Sequence, residues 1–130
     1  MTYILLVEDD QKNADLVMHI LTPLNVEVRH TTRGLEGAKM ARKEHPCLIL
    51  MDFNLPDIDG RTLTLLLKQQ LGGDTAPPIV AMTARAGEHE VRLAQQFGCT
   101  AFVTKPFEPQ ELIQLIKKLA PVTCLDGPAS

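Results

Sequence analysis

Residues 47–60 read CLILMDFNLPDIDG. Five apolar residues run unbroken from Cys47 to Met51 and meet Asp52. Asn54, Pro56, Asp57, Asp59 and Gly60 follow, residue types that favour turns because they fix φ, tolerate left-handed backbone or hydrogen-bond locally. An apolar run that does not alternate fits a strand covered on both faces, the condition of a strand inside a parallel sheet. The stretch therefore predicts a buried strand that carries a carboxylate to its carboxyl end and then turns.

Two further runs are of the same kind. Tyr3 to Val7 is apolar and meets Glu8, Asp9 and Asp10, and Pro78 to Met82 leads to Thr83. Val26 to Thr31 alternates, with Val26 and Val28 on one face, and suits a more exposed strand. Ala101 to Val103 is a short fifth strand before Thr104-Lys105-Pro106. Helical spacing fills the intervals. Leu16, Ile20 and Leu24 recur with Val17 and Leu21. Gly34 to Glu44 carries Leu35, Ala38, Met40 and Ala41. Gly60 to Leu71 carries Leu63, Leu66, Leu67 and Leu71. Glu88 to Phe97 has the weakest pattern, and Glu108 to Leu119 has a clear apolar stripe behind Pro109. Strand and helix alternate five times, which predicts an α/β domain with helices on both faces of a parallel sheet. Residues 1–120 form that domain in this reading, and residues 121–130 (PVTCLDGPAS) are a tail or the start of a linker.

Composition narrows the function. The 130 residues are 45% hydrophobic and 22% charged, with a net charge of -3. That balance lacks the basic excess of a nucleic-acid binder, and the absence of Trp argues against base-stacking platforms. No apolar run approaches the length of a membrane span, and the N-terminus has no basic region or cleavage site, so a cytoplasmic protein is expected. Cys47, Cys99 and Cys124 are odd in number and widely spaced. They read as free thiols, with Cys47 buried in a strand.

In an open parallel sheet the functional crevice lies outside the carboxyl ends of the strands. Glu8, Asp9, Asp10, Asp52, Thr83 and Lys105 all fall there. Like charges about 4 Å apart repel by roughly 4 kcal/mol at an effective dielectric near 20, so clustered carboxylates need a cation or a proton. Oxygen ligands without His or Cys favour a hard ion such as Mg²⁺. Acid, hydroxyl and ammonium together suit a phosphoryl group. Taken singly, these residues have plainer roles. Asp10 suits an N-cap of the first helix. Asp57 and Asp59 suit turn residues or caps of the third helix.

The segments ILLVEDD (4–10), LILMDFNLPDIDG (48–60), IVAMTA (79–84) and FVTKPF (102–107), in this order and spacing, resemble the CheY-like response-regulator receiver family. The resemblance covers about residues 3 to 119. It implies a flavodoxin-like, doubly wound five-stranded sheet in the order 2-1-3-4-5 with five helices. It implies Asp52 as phosphoacceptor, Asp9 as direct ligand of Mg²⁺ or Mn²⁺, Glu8 as a ligand through water, and Asn54 as a ligand through its backbone carbonyl. Thr83 and Lys105 correspond to the residues that bind phosphoryl oxygens. Thr83 and Phe102 correspond to the switch pair. Asn54 and Arg85 correspond to positions that flank the attacking water and tune dephosphorylation.

The partners implied are a sensor histidine kinase or phosphotransfer protein, and a downstream protein at the face formed by residues 88–119. Neither nucleic acid nor a membrane is implied as a direct partner. The chain reads as a signalling receiver that catalyses only its own phosphotransfer and dephosphorylation. Its length and Met1 fit a stand-alone regulator, with the N-terminal receiver of a DNA-binding regulator or hybrid histidine kinase as the alternative. A receiver that binds proteins without phosphorylation is a third reading. A flavodoxin would place a flavin phosphate in the first loop, where Glu8-Asp9-Asp10 would repel it. A haloacid-dehalogenase-type phosphohydrolase would need an Asp-x-Asp nucleophile at the first strand.

Overall fold

The computed structural model of the chain describes residues 2–84, 87–121 and 124. Five strands, β1 (Ile4–Val7), β2 (Val28–Thr31), β3 (Leu48–Asp52), β4 (Ile79–Thr83) and β5 (Ala101–Thr104), form one sheet in the order β2-β1-β3-β4-β5. All neighbouring pairs are parallel. Five α-helices connect or follow them: α1 (Gln11–Leu21), α2 (Gly34–Lys43), α3 (Gly60–Gln70), α4 (Glu88–Gln96) and α5 (Pro109–Leu119).

The unbroken apolar runs are explained by the two layers. Successive strand side chains point to opposite faces. Ile4, Leu6, Leu48, Leu50, Val80, Met82 and Val103 pack with Val17, Ile20 and Leu21 of α1 and Leu112, Ile113 and Ile116 of α5. Their alternates Leu5, Val7, Ile49, Met51, Ile79 and Ala81 pack with Ala38 and Ala41 of α2 and Leu63 and Leu67 of α3. Every residue of β1, β3 and β4 is buried. A fully buried Leu or Ile side chain contributes about 1.5–3 kcal/mol, so these three strands dominate the hydrophobic stabilisation. β2, at the sheet edge, is half-buried throughout and shorter than its alternating pattern suggested.

Local details depart from simple periodicity. Leu16 is 50% exposed and Leu35 53% exposed, although both matched the helical spacing. In α1 the buried face is Ala14, Val17, Ile20 and Leu21. In α2 it is Gly34, Gly37, Ala38 and Ala41. A Cβ on Gly37 would lie 2.9 Å from a Val7 methyl, so small residues let α2 approach the sheet closely and larger ones face outward. None of the described side chains of α4 is buried, in keeping with its weak apolar pattern.

At the amino end of the sheet, the buried Tyr3 donates its hydroxyl to the Glu44 carbonyl at 2.6 Å. The Arg29 guanidinium covers its ring at 4.1 Å.

The expectation of three free thiols is corrected. Cys47 and Cys124 form a disulfide with a Cα–Cα separation of 5.9 Å, while Cys99 is free and buried. The pairing is tertiary: Cys47 just before β3 and Cys124 beyond α5 belong to the same apolar layer as Ile116. Spacing along the chain carries no sign of that meeting. The bridge spans a sequence separation of 77. Chain-entropy arguments assign such a loop about 4.5 kcal/mol. Reductant should therefore lower the melting temperature by roughly 15 °C, and Cys124→Ser should melt near the reduced parent. Calorimetric scans with and without dithiothreitol that coincide would rule the bridge out.

Candidate functional site

Four adjacent strands, β1, β3, β4 and β5, each deliver a polar residue to the carboxyl edge. β1 runs directly into Glu8 and Asp9. β3 ends on Asp52, β4 on Thr83, and β5 is followed by Lys105. The register sets Asp52 opposite Met82 and Thr83 opposite Thr104, so adjacent strands end nearly level. Carboxylate oxygens of Glu8, Asp9 and Asp52 lie within 4.8 Å of one another. Glu8 and Asp52 are buried and Asp9 is exposed. The Lys105 ammonium sits 2.8 Å from Glu8 Oε1 and 3.2 Å from Asp52 Oδ2. The Lys105 amide donates to the Thr83 carbonyl at 2.6 Å, which ties the Lys105 loop to the end of β4. The Lys105–Pro106 peptide bond is cis.

The electrostatics follow from burial. Glu8 is fully buried beside the Asp52 carboxylate, and its carboxyl is pushed up to about 7. Desolvation is the largest cause, then the hydrogen bond and charge of Asp52. Lys105 and the Asp10 amide work the other way. Burial alone would lower the Lys105 ammonium, but Glu8 and Asp52 outweigh it and hold it above its ordinary range. Three carboxylates face one ammonium, which leaves excess negative charge in a half-enclosed site. The donor set is all oxygen, with one exposed carboxylate beside two buried ones. It suits a hard divalent cation.

The loop after β3 frames the site. The Asn54 amide donates to Asp52 Oδ1 at 3.0 Å, and Asn54 pairs with Asp59 in an isolated antiparallel bridge. Asp59 caps α3 through the Arg61 amide, as expected. Asp57 does not cap that helix. Its carboxylate takes the amides of Gly34 and Leu35 at the start of α2 instead, each at 2.9 Å. Asp10 caps α1 through the amides of Lys12 and Asn13. His30 on β2 places Nε2 2.8 Å from the Glu8 carbonyl. Phe102 is half-buried, and its ring meets Phe53 edge-on at 6.5 Å, so the residue after Asp52 packs against β5. Arg85 lies outside the described residues.

A model of the response regulator receiver domain matches residues 4–117. The chain belongs to that family. Among curated relatives, this receiver domain is 34% identical over 116 residues to the polar-differentiation response regulator DivK of Brucella ovis, covering 88% of the chain and 92% of DivK. It is 36% identical over 122 residues to the hybrid signal transduction histidine kinase G of Dictyostelium discoideum, covering 92% of the chain. It spans only 4% of that kinase's length. Among solved structures, it resembles the receiver domain of a Pseudomonas aeruginosa PAO1 sensor histidine kinase, which has a magnesium ion coordinated in its active site cleft. The TM-score is 0.82 at 30% identity, covering 91% and 96% of the two chains. Receiver domains are signalling modules that interact with histidine kinases or phosphotransfer proteins. No described helix of this one is long and apolar enough to cross a membrane.

Proposed function

We propose that this receiver domain is a phosphoacceptor switch of a two-component phosphorelay, with Asp52 as the acceptor. The observation that carries the reading is the convergence of Glu8, Asp9 and Asp52 within 4.8 Å, with Lys105 3.2 Å from Asp52, at the carboxyl edge of the sheet. Asp9, Asp52 and the Asn54 carbonyl would hold Mg²⁺ or Mn²⁺, with Glu8 acting through water. The ion supplies neutralising charge to anionic reactants.

The chain's own groups do the rest. An Asp52 carboxylate oxygen attacks phosphorus of the phosphohistidine on a sensor kinase or phosphotransfer protein. The P–N bond breaks, the imidazole leaves with its electron pair, and an acyl phosphate forms. The Lys105 ammonium and the Thr83 hydroxyl hold phosphoryl oxygens through charge-assisted hydrogen bonds. Water later attacks phosphorus, the bond from phosphorus to the Asp52 oxygen breaks, and inorganic phosphate leaves the restored carboxylate, at a rate that Asn54 and Arg85 tune.

The added charge beside Thr83 draws its hydroxyl, and Phe102 adjusts in the space between β4 and β5. The output surface for a downstream protein is the face formed by residues 88–119, a reading supported by the groove that Phe102 lines with Glu111, Leu115 and Lys118 of α5. Phe102 has no hydroxyl to satisfy when it turns inward. The cytoplasm is the expected place of action, and direct nucleic-acid or membrane contact is not part of this reading. The relatives include both a short regulator and a long hybrid kinase, so a stand-alone regulator and a receiver within a longer protein remain the two contexts.

Incubation with acetyl phosphate and Mg²⁺ should add one phosphoryl group to the intact mass, and chelation should prevent it. A chain that gains nothing in Mg²⁺ overturns the reading. Asp9→Asn should weaken Mg²⁺ binding by about tenfold or more in calorimetric titration, because one unit of ligand charge is lost beside a buried partner. Equal affinity in the variant and the parent would remove Asp9 from the ligand set.

A further inference from the structure

We infer that Asp57 is a positioning residue of the metal site, clamping the loop that presents the Asn54 carbonyl against the N-terminus of α2. The inference rests on the reading of Asn54 as a carbonyl ligand.

Residues 53–59 leave β3 and return to α3 as a loop with a narrow neck. Phe53 donates its amide to the Met82 carbonyl at 3.0 Å, Gly60 donates to the Phe53 carbonyl at 3.3 Å, and Asn54 bridges Asp59. The tip, residues 55–58, reaches to α2. There Asp57 Oδ1 accepts from the Gly34 amide and Oδ2 from the Leu35 amide. With each oxygen on a different donor, the carboxylate can neither rotate nor slide without losing a bond.

The contact serves both partners. The first amides of a helix have no intrahelical acceptor. The residue before α2, Arg33, makes no side-chain cap, so Asp57 supplies from 23 residues away what a local Ser or Asp would otherwise supply. Burial works against the charged form of Asp57, but the amides of Leu35 and Gly34 outweigh it and hold the carboxyl below its usual range. The two surfaces are also in close contact: a Cβ on Gly34 would lie 2.3 Å from Ile58 Cγ2 and 3.1 Å from Leu55 Cδ1. Glycine at this first helical position lets the tip seat against the helix.

A backbone carbonyl is a ligand only in the orientation its peptide plane allows, and it has no side-chain torsion with which to adjust. Asn54 lies three residues from the clamp and within the neck. Freeing the tip would broaden the range of orientations its carbonyl samples and weaken the metal site, although Asp57 itself touches no ligand position. Groups that orient metal ligands typically account for about 10–100-fold in affinity.

The test is calorimetric Mg²⁺ titration of the full chain, with melting temperatures measured alongside. Asp57→Ala should bind Mg²⁺ about tenfold more weakly than the parent, and Asp57→Asn no more than about threefold more weakly. Both variants lose the same charge, but Asn keeps one acceptor oxygen for the α2 amides. Their difference therefore reports the clamp and not the field. Should Asp57→Ala fail to fold, Asp57→Ser, equally uncharged and too short to span both amides, takes its place. Equal affinity in all variants, or equal weakening by Ala and Asn, overturns the inference. A parent that binds no Mg²⁺ overturns instead the reading on which it rests.

Discussion

Asp52→Ala should gain no phosphoryl group from acetyl phosphate and Mg²⁺ under conditions that phosphorylate the parent to one per chain. The loss should be complete, because no second carboxylate among the described residues has the same setting. Asp57 is occupied by the α2 amides and Asp59 by the start of α3 and the Arg61 guanidinium. Glu8 is fully buried with Lys105 on one oxygen and the Asp10 amide on the other. Among the described residues, Asp52 alone combines a site at the end of a central strand, an ammonium at 3.2 Å and an amide donor on its other oxygen. The variant should remain folded. It removes one of three mutually repelling acids and leaves the Lys105–Glu8 ion pair in place, so loss of labelling cannot be ascribed to unfolding. Intact-mass spectrometry and a melting scan of the same sample provide the check. A phosphoryl group recovered on Asp57 or Asp59 in the variant would move the acceptor.

Without metal, the stability of the chain should fall as pH rises from about 4.5 to 7 and above, and Glu8→Gln should abolish most of that fall. The Glu8 carboxyl lies at about 7 in the fold against 4.5 in an unstructured chain. Between those values the folded state binds the proton and the unfolded state does not. An acid with a raised pKa therefore adds stability below its unfolded value and loses it as pH climbs through the folded one. The difference amounts to about 3 kcal/mol across the window. Lys105 adds nothing here, since it is protonated in both states throughout that range. Glutamine keeps an acceptor for the Lys105 ammonium and presents an amide to Asp52, which mimics the protonated acid. The parent in EDTA should lose roughly 10 °C of melting temperature between pH 5 and pH 8, and Glu8→Gln far less. Saturating Mg²⁺ should flatten the parent's profile by favouring the ionised cluster. Superimposable metal-free profiles for the two proteins would discard the assignment.

Much of this arrangement is legible in the chain. Unbroken apolar runs such as Leu48 to Met51 announce strands buried on both faces, and the residue at which each run stops is where the sheet ends its strand. The acids and Lys105 are therefore placed on one edge before any coordinates exist. Other features are tertiary and leave no periodic trace. Leu16 and Leu35 match helical spacing yet face outward, because Ala14 and Gly37 fit closer to the sheet. Cys47 and Cys124 meet only because α5 folds back over β3's layer. Asp57 reads as a turn residue or a cap of the helix that follows it, and its partners prove to be the amides of a helix that precedes it. That Lys105 sits between Glu8 and Asp52 depends on five strands being laid side by side, which no short window of sequence contains.

Tyr3, packed under Arg29 at the amino end of β1, is the sole tyrosine in a chain without tryptophan. The acids begin five residues further on, about 16 Å along an extended strand. The natural emission of this protein thus comes from the end of the sheet remote from its chemistry, and it follows the integrity of the β1–β2–α2 corner. Ultraviolet fluorescence is well suited to watching the domain unfold and poorly suited to watching an ion arrive. Heat, mass or isotopic labels must report on the other end, or an indole must be introduced there.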